Sequence, residues 1–191
     1  MRDFIYVYMK EPEVHVLGPG TRYGLWVQGC NKNCAGCIAK DAHDMQQGTK
    51  INMDALALEI AFSNAEGITI SGGEPFLQAE ELATLLEKIK KKRNMGVIVY
   101  TGYTYEELLQ KPDAKNLLSK IDLLIDGPYI KELDDGKSLR GSANQRVLPL
   151  TDRYHEYLKD YGVGGRKQEI FSHGIFIHEI GIPSNNEKSL A

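Results

Sequence analysis

Three cysteines stand in one short run, Gly29-Cys30-Asn31-Lys32-Asn33-Cys34-Ala35-Gly36-Cys37, and the chain has no others. A CxxxCxxC loop offers three thiolates to one metal centre and no fourth. Thiolates favour zinc and iron–sulfur clusters. A structural zinc site or an electron-carrying cubane normally takes four protein ligands. Three leave one metal with an open position, as catalysis requires. An odd count excludes a fully paired disulfide framework, and the intervening Asn-Lys-Asn is too polar for three inert core thiols. A zinc site completed by His43 or His15 stays open on spacing alone.

A second run with chemical potential is Ser71-Gly72-Gly73-Glu74-Pro75. Its two glycines allow a ligand to approach the backbone closely. Glu74 offers a carboxylate suited to an ammonium group, although it could equally cap the helix that follows.

The elements around these runs alternate. Residues 5–8 read as an edge strand, and 23–28 as a strand running into the cysteine loop. Met53, Leu56, Ala57 and Ile60 recur at helical spacing, which predicts a helix over 52–64. Gly67-Ile68-Thr69-Ile70 and Val97-Ile98-Val99-Tyr100 read as buried strands. Leu82, Leu85, Leu86 and Ile89 line an amphipathic helix over 78–92. Thr104 opens a helix with Glu107 three residues on, a capping-box pattern. Residues 121–125 form a further strand before Asp126-Gly127. Tyr154, Tyr157, Leu158 and Tyr161 make a helical core stripe, and 162–165 a flexible break. Residues 169–171 and 175–177 flank Ser172-His173-Gly174 as a hairpin. Strand–helix alternation predicts an α/β fold with a parallel sheet, whose ligands sit beyond the carboxyl ends of the strands. The cysteine loop, the Gly-Gly-Glu run, Thr101-Gly102-Tyr103 and Asp126-Gly127 all follow strands, so all four should meet on one rim.

A chain of 191 residues suits a single domain, expected over 1–183, with a core at about 17–150, a helix and hairpin over 151–183, and a frayed tail at 184–191. The net charge of −3 makes no case for nucleic acid or an anionic membrane. The basic run 90–93 complements a helix C-terminus. No apolar stretch approaches the ~20 residues of a membrane span, and residues 1–10 have no apolar leader core. A cytoplasmic location is expected.

The cysteine loop and Gly72-Gly73-Glu74-Pro75 together resemble the radical SAM superfamily, over roughly residues 17–146. The resemblance implies a full or partial (β/α) barrel and one 4Fe–4S cluster held by Cys30, Cys34 and Cys37. It implies S-adenosylmethionine on the open iron, with Gly72, Gly73 and Glu74 at its amino end. Thr101 and Tyr103 are expected on the ribose side, and Asp126, Asn144 and Arg146 as further pocket residues. A narrower resemblance is to glycyl-radical activating enzymes, that of anaerobic ribonucleotide reductase above all. It rests on Gly18-Pro19-Gly20-Thr21-Arg22, Trp26-Val27-Gln28-Gly29-Cys30, Cys34-Ala35-Gly36-Cys37, Tyr100-Thr101-Gly102-Tyr103-Thr104-Tyr105-Glu106-Glu107-Leu108, Asp126-Gly127-Pro128-Tyr129 and Arg140-Gly141-Ser142-Ala143-Asn144-Gln145-Arg146. Gly36 also fits these activases. It implies a 5′-deoxyadenosyl radical, a glycyl-radical enzyme as protein substrate, and a flavodoxin or ferredoxin as electron donor.

Two features depart from that pattern. Ile38-Ala39-Lys40 stands where these activases usually carry Asn or Asn-Pro, and the tail from Gly164 outruns the short activases. The alternatives are a small radical SAM enzyme acting on a peptide or small molecule, and a non-enzymatic iron–sulfur or zinc module. With no cysteine to spare, the chain is expected to carry one cluster only. The segment 169–183 is too apolar for a free tail. It is expected to complete the core, to dock a partner, or to cover the site.

Overall fold

The computed structural model describes residues 2–160 and 165–183. Seven strands make one sheet: β1 (Phe4–Val14), β2 (Arg22–Val27), β3 (Thr49–Asn52), β4 (Gly67–Gly72), β5 (Gly96–Tyr100), β6 (Leu123–Asp126) and β7 (Arg146–Pro149). Their order is β3-β1-β2-β4-β5-β6-β7. The central four, β2, β4, β5 and β6, are parallel. The flanking β1, β3 and β7 are antiparallel. The parallel sheet expected from the alternation is therefore the centre of a mixed one. β1 is not an edge strand, because β3 pairs outside it. β3 and β7 gave no strand signal. β3 is mostly exposed and β7 half so, and they carry Lys, Asn, Arg and Pro, which suit a sheet edge and spoil apolar alternation.

Three helices cover one face: α1 (Met53–Phe62), α2 (Ala79–Lys90) and α4 (Ala114–Leu118). Leu56, Ile60, Leu82, Leu86 and Leu117 pack there on Tyr23, Leu25, Ile68, Ile70, Val97 and Val99, and all are buried. Helix ends follow local chemistry. Asn52 caps α1 by accepting from the N–H groups of Asp54 and Ala55. The capping box forms as expected at α3 (Tyr105–Leu109), with Thr104 and Glu107 exchanging hydrogen bonds. Proline and the glutamate cap turn Pro75–Gln78 into a 3₁₀ turn, so α2 starts one residue later than its periodicity predicts.

The other face carries Ile98, Leu123 and Ile125 against Leu139 and Tyr154. Tyr154 leads into α5 (His155–Lys159). The C-terminal hairpin, β8 (Gln168–His173) and β9 (Phe176–Gly181), lies beside β1 and β2, where Ile180 is buried with Val14 and Leu17. Its other face is open, with Ile170 and Ile177 both 74 % exposed. One face of the hairpin thus completes the core. Most of the expected break at 162–165, and the tail 184–191, lie outside the described residues. Among the described residues no helix is long and apolar enough to cross a membrane.

At the amino ends of the parallel strands sits Arg22, 1 % exposed. Its guanidinium donates to Thr69 Oγ1 at 3.0 Å, Tyr154 Oη at 2.8 Å, and the carbonyls of Ile68 at 2.7 Å and Gly96 at 3.1 Å. Space for it comes from two glycines. A Cβ on Gly67 would lie 2.0 Å from Arg22 Nη1, and one on Gly96 would lie 2.0 Å from Tyr154 Oη.

Candidate active site

The carboxyl ends of β2, β4, β5 and β6 carry the four runs singled out in the sequence. The cysteine loop leaves β2 and is closed at its base: Gly29 N–H donates to Ala42 O at 2.7 Å and Cys30 N–H to His43 O at 3.0 Å. Gln28 spans the inside, donating to the carbonyls of Asp41 and Asp44. The three thiols are partly buried, unpaired with each other, and line one cavity. Burial pushes the Cys30 and Cys37 thiols up, so ligation at neutral pH releases protons. His43 Nε2 lies 3.4 Å from Cys37 Sγ. His15 points elsewhere, pairing with Glu169 of the hairpin at 2.9 Å. The three sulfurs do not all lie within 4.8 Å of one another. Thiolates about 2.3 Å from one tetrahedral zinc lie only ~3.8 Å apart. The donor set is therefore wider than a single zinc ion requires and suits a multi-iron group.

Glu74 faces the same cavity from the end of β4 and is 1 % exposed. Its Oε1 accepts from Phe76 N–H at 3.0 Å and Thr101 Oγ1–H at 2.8 Å, and its Oε2 from Gly102 N–H at 2.8 Å. A carboxylate has about four acceptor positions, so one on Oε2 is left over. Burial pushes its pKa above the usual carboxylate range, against these three donors and the nearby Lys32 charge. Glu74 is thus a helix cap and a charge aimed into the cavity at once. The sequence reading has Gly72 and Gly73 admit a ligand. What they admit first is the neighbouring backbone. Gly72 has φ +106°, and a Cβ there would lie 2.5 Å from the Val27 backbone; on Gly73 it would lie 2.1 Å from Gly29 O. That approach lets Gly73 N–H reach Val27 O at 2.8 Å and Glu74 N–H reach Gly29 O at 2.7 Å. The Gly-Gly-Glu run is stitched directly to the base of the cysteine loop.

Residues 16–148 match the family described as "4Fe-4S single cluster domain". The anaerobic ribonucleoside-triphosphate reductase-activating protein of Enterobacteria phage T4 is 34% identical over 143 residues, covering 72% of this chain and 89% of that protein. Its counterpart from Vibrio cholerae is 34% identical over 146 residues, 71% of this chain and 92% of that one. This chain belongs to the radical SAM glycyl-radical activase family. The pyruvate formate-lyase 1-activating enzyme of Escherichia coli is a more distant match, 30% identical over 139 residues, 69% of this chain and 54% of that protein. As a member of the activase family, the chain is an enzyme of 4Fe–4S and S-adenosylmethionine chemistry.

The remaining residues expected in the activase pocket divide. Thr101 lines the cavity, but its hydroxyl donates to Glu74 and accepts from Tyr103 N–H at 3.1 Å. Tyr103 is not among the cavity-lining residues. Its hydroxyl meets Asn31 at 3.0 Å and its ring carries the Lys32 ammonium at 3.5 Å, so it fastens the cysteine loop to the β5 loop. Asp126 and Arg146 also lie off the cavity. Asp126 accepts from Arg146 Nε at 2.9 Å and Tyr105 N–H at 2.7 Å, and Arg146 grips Glu106 with both terminal nitrogens. This ion network joins β6, β7 and α3, and long-range pairing put it there. Asn144 donates to Pro128 O at 2.7 Å, while its Oδ1 is buried without a partner beside Gly127, which does line the cavity. Sequence reasoning missed Gln145 and Asp134, which also line it, whereas Ile182 and Pro183 line it from the segment 169–183, for which covering the site was one of the expectations. Gln145 had a signal, as part of the Arg140–Arg146 run. Pro183 follows β9 and is held by Arg166, whose buried side chain pairs with Asp134 at 2.7 Å and donates to Pro183 O at 2.9 Å.

Proposed function

We propose that this chain cleaves S-adenosylmethionine reductively and installs a glycyl radical on a partner enzyme of the anaerobic ribonucleotide reductase type. The observation that carries the reading is one cavity lined by both the three cysteines and the buried Glu74 carboxylate. Cys30, Cys34 and Cys37 would hold a 4Fe–4S cluster by three thiolates, leaving a place for S-adenosylmethionine in the same cavity. Bound there, the cluster and S-adenosylmethionine would together supply one-electron reductive cleavage of the sulfonium, a chemistry that belongs to the cofactors while the protein binds and orients them. Glu74 receives the ammonium at its free acceptor position. Thr101 and Gly102 hold that carboxylate in place, and Tyr103 and Lys32 hold the loop over it. Ile182 and Pro183 wall the cavity from the hairpin side and limit water access. A flavodoxin or ferredoxin serves as donor, in the cytoplasm.

The test is anaerobic reconstitution with iron and sulfide, then dithionite and S-adenosylmethionine, assayed for 5′-deoxyadenosine. About four irons per chain are expected, and Cys→Ala at position 30, 34 or 37 should remove most of them. Stoichiometric zinc with no iron uptake overturns the reading. Adding the purified reductase should yield a glycyl radical signal by electron paramagnetic resonance. Turnover of S-adenosylmethionine without that signal points to a peptide or small-molecule substrate instead.

A further inference from the structure

Away from the cysteine loop, Glu11 of β1 meets two histidines of the hairpin. His173 Nε2 lies 2.8 Å and His178 Nε2 3.2 Å from the same oxygen, Glu11 Oε2. The three ligand atoms all lie within 4.8 Å of one another, and among the described residues no other trio of histidine, cysteine or carboxylate side chains does so. All three residues fall outside the span 16–148 that matches the family.

The backbone aims each of them. β1 changes register between Glu11 and Val14, and such a bulge re-aims a side chain. His173 pairs with Phe176 across the hairpin and His178 lies two residues further along β9, so both imidazoles share the face turned to β1. Their rings stack at 5.2 Å, and the His178 ring also stacks on Phe171 at 5.7 Å. Glu11 is only 4 % exposed, and among the described residues no lysine or arginine pairs with it. A buried carboxylate is costly without a cation.

We propose that Glu11, His173 and His178 form a site for a divalent d-block cation of the zinc class, which fastens the hairpin to β1. Imidazole donors select such ions over magnesium or calcium, which prefer oxygen ligands. Ligands 2.0–2.1 Å from a tetrahedral zinc lie about 3.3 Å apart, so the two observed separations need little opening. The His173 side chain is 60 % exposed, which leaves an entry path and room for water as the fourth ligand. The ion acts at a distance on the radical site. β9 runs directly into Gly181, Ile182 and Pro183, which line the main cavity, so fixing the hairpin fixes that wall.

The test uses the full-length, tag-free, cluster-loaded protein under anaerobic conditions. It is incubated with zinc chloride, passed through a desalting column and analysed for zinc and iron together. The expected result is about one zinc per chain, retained in excess magnesium, with iron unchanged and a raised melting temperature. His178→Gln and His173→Asn should each abolish zinc retention while keeping iron. Should His178→Gln fail to fold, the more exposed His173→Asn decides. Absence of retained zinc in the parent, or equal retention in the variants, overturns the proposal and leaves the trio as a hydrogen-bonded clasp.

Discussion

Arg22 and Glu74 are both 1 % exposed, at opposite rims of the same parallel strands. Neither has an oppositely charged side chain in its first ring of hydrogen bonds. Burial acts against the charge on each, lowering the Arg22 pKa and raising that of Glu74. The difference lies in saturation. Arg22 meets carbonyls and hydroxyls on all three nitrogens and is closed to solvent, as a group that holds strands in register should be. Glu74 takes three donors and keeps one acceptor position open to a cavity. A buried charge with its partners complete is architecture. A buried carboxyl with a place left over, facing a cavity, is what the proposed ammonium-binding role requires.

The largest effect expected from breaking that contrast is at Arg22. Arg22→Leu leaves the Ile68 and Gly96 carbonyls and the Tyr154 hydroxyl unpaired in the core. At about 1–3 kcal/mol each, urea unfolding should show a loss of roughly 3 kcal/mol or more. A variant within about 1 kcal/mol of the parent removes the architectural half of the comparison.

Glu74→Gln comes next and should act mainly on binding. A charge-assisted hydrogen bond is worth ~1.5–3 kcal/mol, so S-adenosylmethionine affinity by calorimetry should fall roughly tenfold or more, with iron content unchanged. The amide also turns an N–H toward one of the three donors, so a modest drop in melting temperature should accompany it. Unchanged affinity leaves Glu74 as a helix cap only.

Thr101→Val sharpens the picture through pH. The variant lacks one donor to the Glu74 carboxylate, so affinity should drop several-fold, about 1 kcal/mol. Burial already raises the Glu74 pKa, so parent affinity should fall as pH drops through that raised value, and Thr101→Val should move the fall to higher pH. Stability of the ligand-free protein runs the other way. Between the ordinary and the raised value the folded state holds a proton that the unfolded chain has released, so Glu74 makes it less stable as pH rises through that window. Identical pH profiles in the two proteins contradict the positioning role of Thr101.

The smallest effect is expected at Glu106. Arg146 holds its carboxyl down to about 2, yet it lies in solvent, where ion pairs contribute little. Glu106→Gln should leave both affinity and melting temperature unchanged within error. A clear loss of affinity places the Asp126–Arg146 network in the pocket after all.

What the sequence determined by itself was local. Contiguous apolar runs specify β4, β5 and β6, and period-3.6 spacing specifies α1 and α2, because both signals are complete within one element. The meeting of Cys30, Cys34, Cys37 and Glu74 on one rim was legible for the same reason, since each run follows its own strand. Tertiary structure decided everything that depends on pairing across distance. It turned Asp126 and Arg146 into an ion network and Tyr103 into a fastener. It set Gly72 and Gly73 against the β2 backbone, and brought Glu11 to His173 and His178 across most of the chain. Strand register and β-bulges choose such partners, and no window of neighbouring residues contains them.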